Sequence, residues 1–292
     1  MPSLQHTRRR IGSVKNTQKI TKAMKLVSAA KLRRAQERVL AARPYADQMA
    51  ALQRQLCRNL TSTDQPLMQR KTGANVELVV VSADRGLCGS FNAQMFRHAV
   101  DLAERLEAEG RTVTLTTIGR KARDFFRRRR WPITKSWVQV FDRLQFEQAD
   151  AIAQELIELF TTGRVEIRLL FTEFRSVASQ RVTGQVLLPV GGQAPDETDD
   201  AAPDGAMGSY LYEPEEDQLL AELLPRAVAV QIFRALLESA ASEQGARMMA
   251  MDSASRNAGE MIKRLTLIYN KTRQAAITKE LMDIVGGAEA LR

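Results

Sequence analysis

The chain is poor in what most active sites are built from. Aromatic residues make up 5% of its 292 residues, and histidine and cysteine occur twice each. So few rings favour helices that pack through small and aliphatic side chains over an aromatic-rich core. His6 and His98 lie far apart, without a spaced carboxylate or cysteine, so neither a Ser–His–acid set nor a metal centre can be assembled from them. Cys57 and Cys88 show no CxxC spacing and read as free thiols in a reducing compartment. No run approaches the ~18 apolar residues needed to span a bilayer. The N-terminal MPSLQHTRRRIGSV has arginines but no apolar segment behind them, so no secretory signal is expected and the chain reads as soluble and cytosolic. The P-loop pattern GxxxxGK[ST] occurs nowhere. We expect no catalytic, cofactor-binding or metal-binding residue.

What is there begins with charge. The net charge is +9, yet residues 1–43 hold twelve Lys/Arg against the single acid Glu37, leaving the rest of the chain at −2. Basicity belongs to one element. Residues 3–43 read as a long helix interrupted only by Gly12 and ended or kinked at Pro44, with a helical continuation from Tyr45 to Leu60. Its apolar stripe changes face: Ile11 and Val14 fall on one side, Ile20, Met24 and Val27 nearly opposite, and Leu32 and Val39 return to the first. Two faces must therefore touch something. A nucleic-acid helix would carry the same charge, but it would gain from exposed aromatics, and residues 1–43 contain none.

The C-terminal counterpart runs from Arg226 to Val285, sixty residues without a proline, with Pro225 at its front and Gly286–Gly287 as a stop signal. As one helix it is a rod of roughly 90 Å. Met251, Ala254, Ala258, Met261, Leu265, Ile268, Thr272 and Ala275 alternate steps of three and four, the pattern of a coiled-coil seam. A basic rod and a rod lacking a partner, at opposite ends of one chain, should pair antiparallel.

Between them the rhythm changes. Strands are expected at 76–82, 112–118, 133–140, 165–174 and 181–190, and helices at 91–109, 120–130 and 146–160, the last two strands forming an antiparallel pair at a sheet edge. Segment 191–209 is acidic and rich in Pro and Gly. The turn ADRGLCGSFN, Ala83 to Asn92, offers G-x-x-G where a dinucleotide fingerprint needs GxGxxG; it reads as a tight turn with Ser90 as N-cap. Arg127–Arg130 read as a solvated helix end. The expected organisation is a coiled-coil helix over 1–60, a Rossmann-like, mainly parallel α/β domain over 74–190, a connector over 191–217 and a second coiled-coil helix over 218–292.

Several motifs in this order, at both ends and in the middle, carry a resemblance. RIGSVKNTQKITKAMKLVSAAKLRRAQ (Arg10–Gln36), RPYA (Arg43–Ala46), SADRGLCGSFN (Ser82–Asn92), YLYEP (Tyr210–Pro214), SEQGARMMAMDSAS (Ser242–Ser255) and LIYNKTRQAAITKELMDIVGGAEAL (Leu267–Leu291) resemble the γ subunit of F-type ATP synthases. The resemblance covers essentially the whole chain. It implies a non-catalytic rotor shaft whose coiled coil sits inside the ring of α and β subunits and whose α/β domain forms a foot on the membrane c-ring beside ε. It also implies that the shaft couples proton flow to ATP synthesis or hydrolysis. By motif match Met24, Lys25, Arg273, Gln274, Thr278 and Glu280 would face the α/β ring, and Tyr210 and Tyr212 the c-ring and ε. The pair Cys57 and Cys88 does not match the redox pair of chloroplast relatives. With no transit segment, the implied location is the cytoplasmic face of a bacterial inner membrane, held there by partners. The competing readings are a basic coiled-coil protein that binds nucleic acid and a nucleotide-dependent enzyme using the Gly86–Gly89 turn.

Overall fold

The computed structural model describes residues 4–59, 65–69, 75–163, 165–190 and 216–289. Its elements run α1 (Leu4–Asn59), β1 (Asn75–Val81), α2 (Phe91–Ala108), β2 (Thr112–Ile118), α3 (Arg120–Phe126), β3 (Ile133–Trp137), α4 (Phe146–Gly163), β4 (Val165–Phe174), β5 (Gln180–Leu188) and α5 (Glu216–Glu289). They form two compact units, one of Lys31–Ala246 and one of Met1–Ala30 with Arg247–Arg292. Both long helices contribute to both units.

In the larger unit a five-stranded sheet has the order β3-β2-β1-β4-β5, parallel except for the antiparallel β4–β5 pair at one edge. β1 lies at its centre, and Val76 to Val81 are buried without a break. A strand covered on both faces needs no polar side, which is why its sequence is a nearly unbroken apolar run rich in valine. Val76, Leu78 and Val80 meet Met95, Ala99, Ala103 and Leu106 of α2 and Ala122 and Phe126 of α3. These α2 positions recur at three and four residues, one face of the helix. The scarce aromatics are concentrated here: the Phe96 and Phe125 rings stack at 4.4 Å, and Phe126 meets Phe96, Phe125 and Trp131 edge-on. Arg129 lies over the Phe125 ring and Arg130 over Trp131, with Arg130 also 2.6 Å from Glu107. Half of the arginine run expected to be solvated is therefore engaged with rings and an acid.

One buried residue breaks the apolar pattern. Glu77, in the middle of β1, is 1% exposed and accepts hydrogen bonds from Thr114 and Thr116 of β2 and from Thr134, the last two at 2.6 and 3.1 Å. Burial raises its pKa above the ordinary carboxylate value, against the lowering effect of the three hydroxyls.

The long helices run past three local boundary signals. α1 continues through Pro44, which is exposed, so the missing backbone bond lies at the surface. α5 starts at Glu216, ahead of Pro225, and it runs on through Gly286 and Gly287 to Glu289. Glycine ends a helix when its backbone turns left-handed; kept helical, each costs only about 1 kcal/mol against alanine. Two strand and helix ends also move: α3 stops at Phe126, and β3 stops at Trp137 because Gln139 turns left-handed (φ 61) into a 3-10 turn over Val140–Arg143.

In this larger unit α5 is buried almost all round from Ala227 to Gly245. On one side it meets α1, where Arg43 pairs with Glu238 and Asp47 with Arg234, numbers that run in opposite directions as an antiparallel pair requires.

Candidate functional site

The smaller unit is the paired ends of the long helices, and its seam is unusual. On α1 the buried and half-buried positions include Thr7, Ile11, Val14, Gln18, Thr21, Lys25 and Ser28, an unbroken alternation of four and three, with Met24 and Ala29 half-buried beside them. The seam does not change face. It becomes polar. Gln18 Nε2 donates to the Ser255 carbonyl at 3.3 Å, and Lys25 Nζ lies 2.6 Å from Asp252 Oδ1. Asp252 also meets Arg256 at 3.3 Å. The hydrogen bond from Lys25, with the positive charges of Lys25 and Arg256, holds the Asp252 carboxyl below its ordinary pKa. Gly259 fits closely: a Cβ there would stand 3.0 Å from Gln18 Nε2.

On α5 the seam is Met251, Ser255, Ala258, Ile262, Leu265, Tyr269 and Thr272. Met251, Ala258, Leu265 and Thr272 hold the places their spacing predicts. Ala254 is half-buried as well, beside Ser255; further along, the intervening positions are one residue later than expected, so Met261 and Ile268 are exposed and Ile262 and Tyr269 face inward, while Ala275 lies in the exposed end of the helix. The apolar residues left exposed on this unit include Ile20, Leu26 and Val27 on α1, and Met261, Leu267 and Ile268 on α5.

Beyond Thr272, every side chain from Arg273 to Val285 is exposed. This segment contains Ile277, Leu281 and Ile284, each at least half exposed, along one stripe of the helix. At about 100° per residue, Arg273 and Glu280 border the stripe on one side and Gln274 and Thr278 on the other. Four of the residues singled out from sequence are thus brought together around an apolar strip. Met24 is half-buried, and Lys25 is turned towards Asp252. Tyr210 and Tyr212 lie outside the described residues, as do segment 191–209 and the side chain of Cys57.

The glycine turn after β1 is built differently from a phosphate cradle. Cys88 is buried with Ala83 and Phe91, packed against Ala246 of α5. Asn92 Oδ1 receives the Ala83 N–H at 3.1 Å, and Asp84 Oδ1 receives those of Arg120 and Gln139 at 2.9 and 3.1 Å. Ser90 occupies the N-cap position without a side-chain cap bond, and the Phe91 N–H closes back on the Cys88 carbonyl. Gly119 at the end of β2 is obligatory, because its φ is +99° and a Cβ would overlap the Ser82 carbonyl. The turn fills itself with its own groups, and it thrusts out Leu87, 64% exposed at φ 63. Left-handed backbone costs a leucine about 1–2 kcal/mol. Spacing gave no hint of that residue, since φ is not readable from a sequence.

A family model described as ATP synthase matches residues 3–291. The chain is 49% identical over 293 residues to the ATP synthase gamma chain of Geobacter metallireducens and 53% identical over 298 residues to that of Acidiphilium cryptum, in each case across the full length of both. The chain belongs to the ATP synthase gamma-chain family. Among solved structures, the central stalk and c-ring of the Tetrahymena thermophila mitochondrial ATP synthase matches at TM-score 0.59 and 26% identity, over 81% of this chain and 99% of that one. A chain of the Euglena gracilis mitochondrial ATP synthase matches in fold at TM-score 0.70 and 20% identity, over 99% of this chain and 94% of the other. Membership of the gamma-chain family accounts for the two long helices flanking a mostly parallel sheet, and it replaces the reading of a basic coiled coil made for nucleic acid. Among the described residues no helix is long and apolar enough to cross a membrane.

Proposed function

We propose that the chain is the central rotor shaft of a bacterial F1Fo ATP synthase, without a catalytic site of its own, placed at the cytoplasmic face of the inner membrane. Residues 1–60 and 218–292 serve as the shaft inside the ring of α and β subunits. Residues 74–190 serve as the foot on the c-ring, beside ε, with 191–217 as connector. Proton flow turns the c-ring and the shaft together, and each β subunit then meets a different side of the shaft. A contact shifts a conformation only through differential affinity. The shaft must therefore differ from side to side, and two helices of unlike composition meet that need.

The observation that carries this reading is the exposed end of α5. Thirteen consecutive side chains, Arg273 to Val285, make no burial within the chain, yet they include a stripe of Ile277, Leu281 and Ile284. Arg273, Gln274, Thr278 and Glu280 border the stripe and are its polar contacts to the ring. Ile20 and Val27, with Met24 beside them, form a second contact face on α1. Lys25 acts there through the part of its side chain that Asp252 leaves open, and Leu87 is a further partner-facing knob. Tyr210 and Tyr212 are assigned to the c-ring and ε. The basic residues of α1 add a salt-sensitive attraction to acidic loops on β. Purification of the chain from membranes tests the reading. It is expected to travel with subunits that carry P-loops and to leave the assembly when residues 273–292 are removed; a chain found alone or with nucleic acid contradicts it.

A further inference from the structure

β4 is longer than its parallel neighbour. The β1–β4 ladder ends at Leu170, while β4 continues to Phe174, paired with β5 on its other side. That overhang leaves backbone groups facing the vacated side, and unpaired backbone polar groups buried from water are costly. The two long helices satisfy them. Ser239 Oγ receives the Thr172 N–H at 3.2 Å, and Ser242 Oγ donates to the Thr172 carbonyl at 3.2 Å. Glu238 Oε2 receives the Phe174 N–H at 2.8 Å, and Arg43 Nη2 donates to the Phe174 carbonyl at 3.3 Å. Arg43 then closes the ring on Glu238 Oε1, from Nη2 at 3.0 Å and from Nε at 3.2 Å. Glu238, Ser239 and Ser242 are each no more than 1% exposed. Three elements, α1, α5 and β4, meet in one closed polar joint.

The rest of the α5 surface over Ala227–Gly245 is largely alanine, valine, isoleucine and leucine. Apolar burial is non-directional and resists separation better than sliding or rotation. Charge-assisted hydrogen bonds fix distance and angle together, and a buried polar set is best attested as a device that fixes register.

We propose that Arg43 and Glu238 are positioning residues of the rotor: with Ser239 and Ser242 they clamp the overhanging edge of β4 to the helix pair, so that torque passes between sheet and helices without angular slack. This inference rests on the rotor reading above.

The test uses the complete ATP synthase with its α/β ring immobilised and a rod attached through Glu158→Cys on the exposed face of α4. Its readout is the angular variance of the rod during the dwell without ATP. The joint and the apolar packing act as parallel restraints, so Glu238→Gln and Arg43→Ala should roughly double the variance, with Arg43→Lys in between. Glu238→Gln is nearly isosteric and carries the test if Arg43→Ala does not fold. Ile152→Ala, which opens a cavity under α4 in the same domain, should lower the melting temperature and leave the variance at the parent value. Unchanged variance in folded Glu238→Gln overturns the proposal, and so does an equal rise in Ile152→Ala. A rod that never turns under ATP in the parent complex contradicts the rotor reading instead.

Discussion

Two stretches of the same helix, α5, have opposite surroundings. From Ala227 to Gly245 every side chain is buried or half-buried, between α1 and the sheet; from Arg273 to Val285 every one is exposed. Both contain isoleucine, leucine and valine at helical spacing, so composition alone does not separate them. The difference lies in what covers them. The first stretch meets its own chain on all sides and adds buried serines and Glu238 that match the backbone of β4. The second has the same kind of apolar stripe, flanked by Arg273, Gln274, Thr278 and Glu280, and nothing from its own chain against it. That strip contributes nothing to the fold of its own chain, which is what the proposed contact with the ring would require.

Substitution at matched leucines should break the comparison most visibly. Leu236→Ala, at a position with no exposed surface, should cost the isolated chain about 2–5 kcal/mol in urea unfolding. Leu281→Ala should stay within about 0.5 kcal/mol of the parent, while reducing ATP synthesis in membrane vesicles that contain the full complex. Equal destabilisation by both would mean that the end of α5 folds back onto its own chain.

The next effect concerns the sheet. Glu77→Ala leaves the Thr114, Thr116 and Thr134 hydroxyls without their acceptor and should cost about 1–3 kcal/mol. The pH dependence carries a definite sign. Because burial raises the folded-state pKa of Glu77, its contribution is fully present below the unfolded value of 4.5 and is lost as pH rises through the folded value. Glu166 behaves in the opposite way. It is desolvated, but the hydrogen bonds from Arg111 and Arg168 outweigh that and lower its pKa, so its contribution is present at neutral pH and lost as pH falls through the lowered value. Unfolding curves carried from about pH 2 to pH 8 should show Glu77→Gln losing only the first of these slopes.

The smallest effect belongs to the seam. Lys25→Ala removes a half-exposed pair with Asp252, so the melting temperature should shift slightly at low salt and hardly at all at high salt. A large, salt-independent loss would make Lys25 a structural keystone and weaken its assignment to the ring.

These regions also differ in how far the sequence disclosed them. The sheet was readable strand by strand: a nearly unbroken β-branched run implies a central strand, and strands at 165–174 and 181–190 separated by a short polar turn imply an edge hairpin. The family motifs at the C-terminal end marked Arg273, Gln274, Thr278 and Glu280, which the helix gathers around one exposed stripe. The seam was harder, because periodicity treats every apolar residue as inward-facing. Met261 and Ile268 belong to the outer surface, while Ser255 and Tyr269 belong to the seam, and both choices give steps of three and four. On α1 the same assumption made a polar seam, Gln18, Thr21, Lys25 and Ser28, look like a change of face. Boundary signals misled for a related reason: Pro44, Gly286 and Gly287 as stops and Pro225 as a start act locally, and the long helices run past each. Nothing in the sequence signals the joint at Glu238 or the left-handed backbone of Leu87, since both depend on which strand end lies beside which helix.

Amide hydrogen exchange across α5, in the isolated chain and in the assembled complex, separates the two stretches. Amides of residues 227–245 are expected to be protected in both states, whereas those of residues 273–285 exchange fast in the isolated chain and become protected on assembly with the α and β subunits. Strong protection of residues 273–285 in the isolated chain, or no change on assembly, would contradict that expectation.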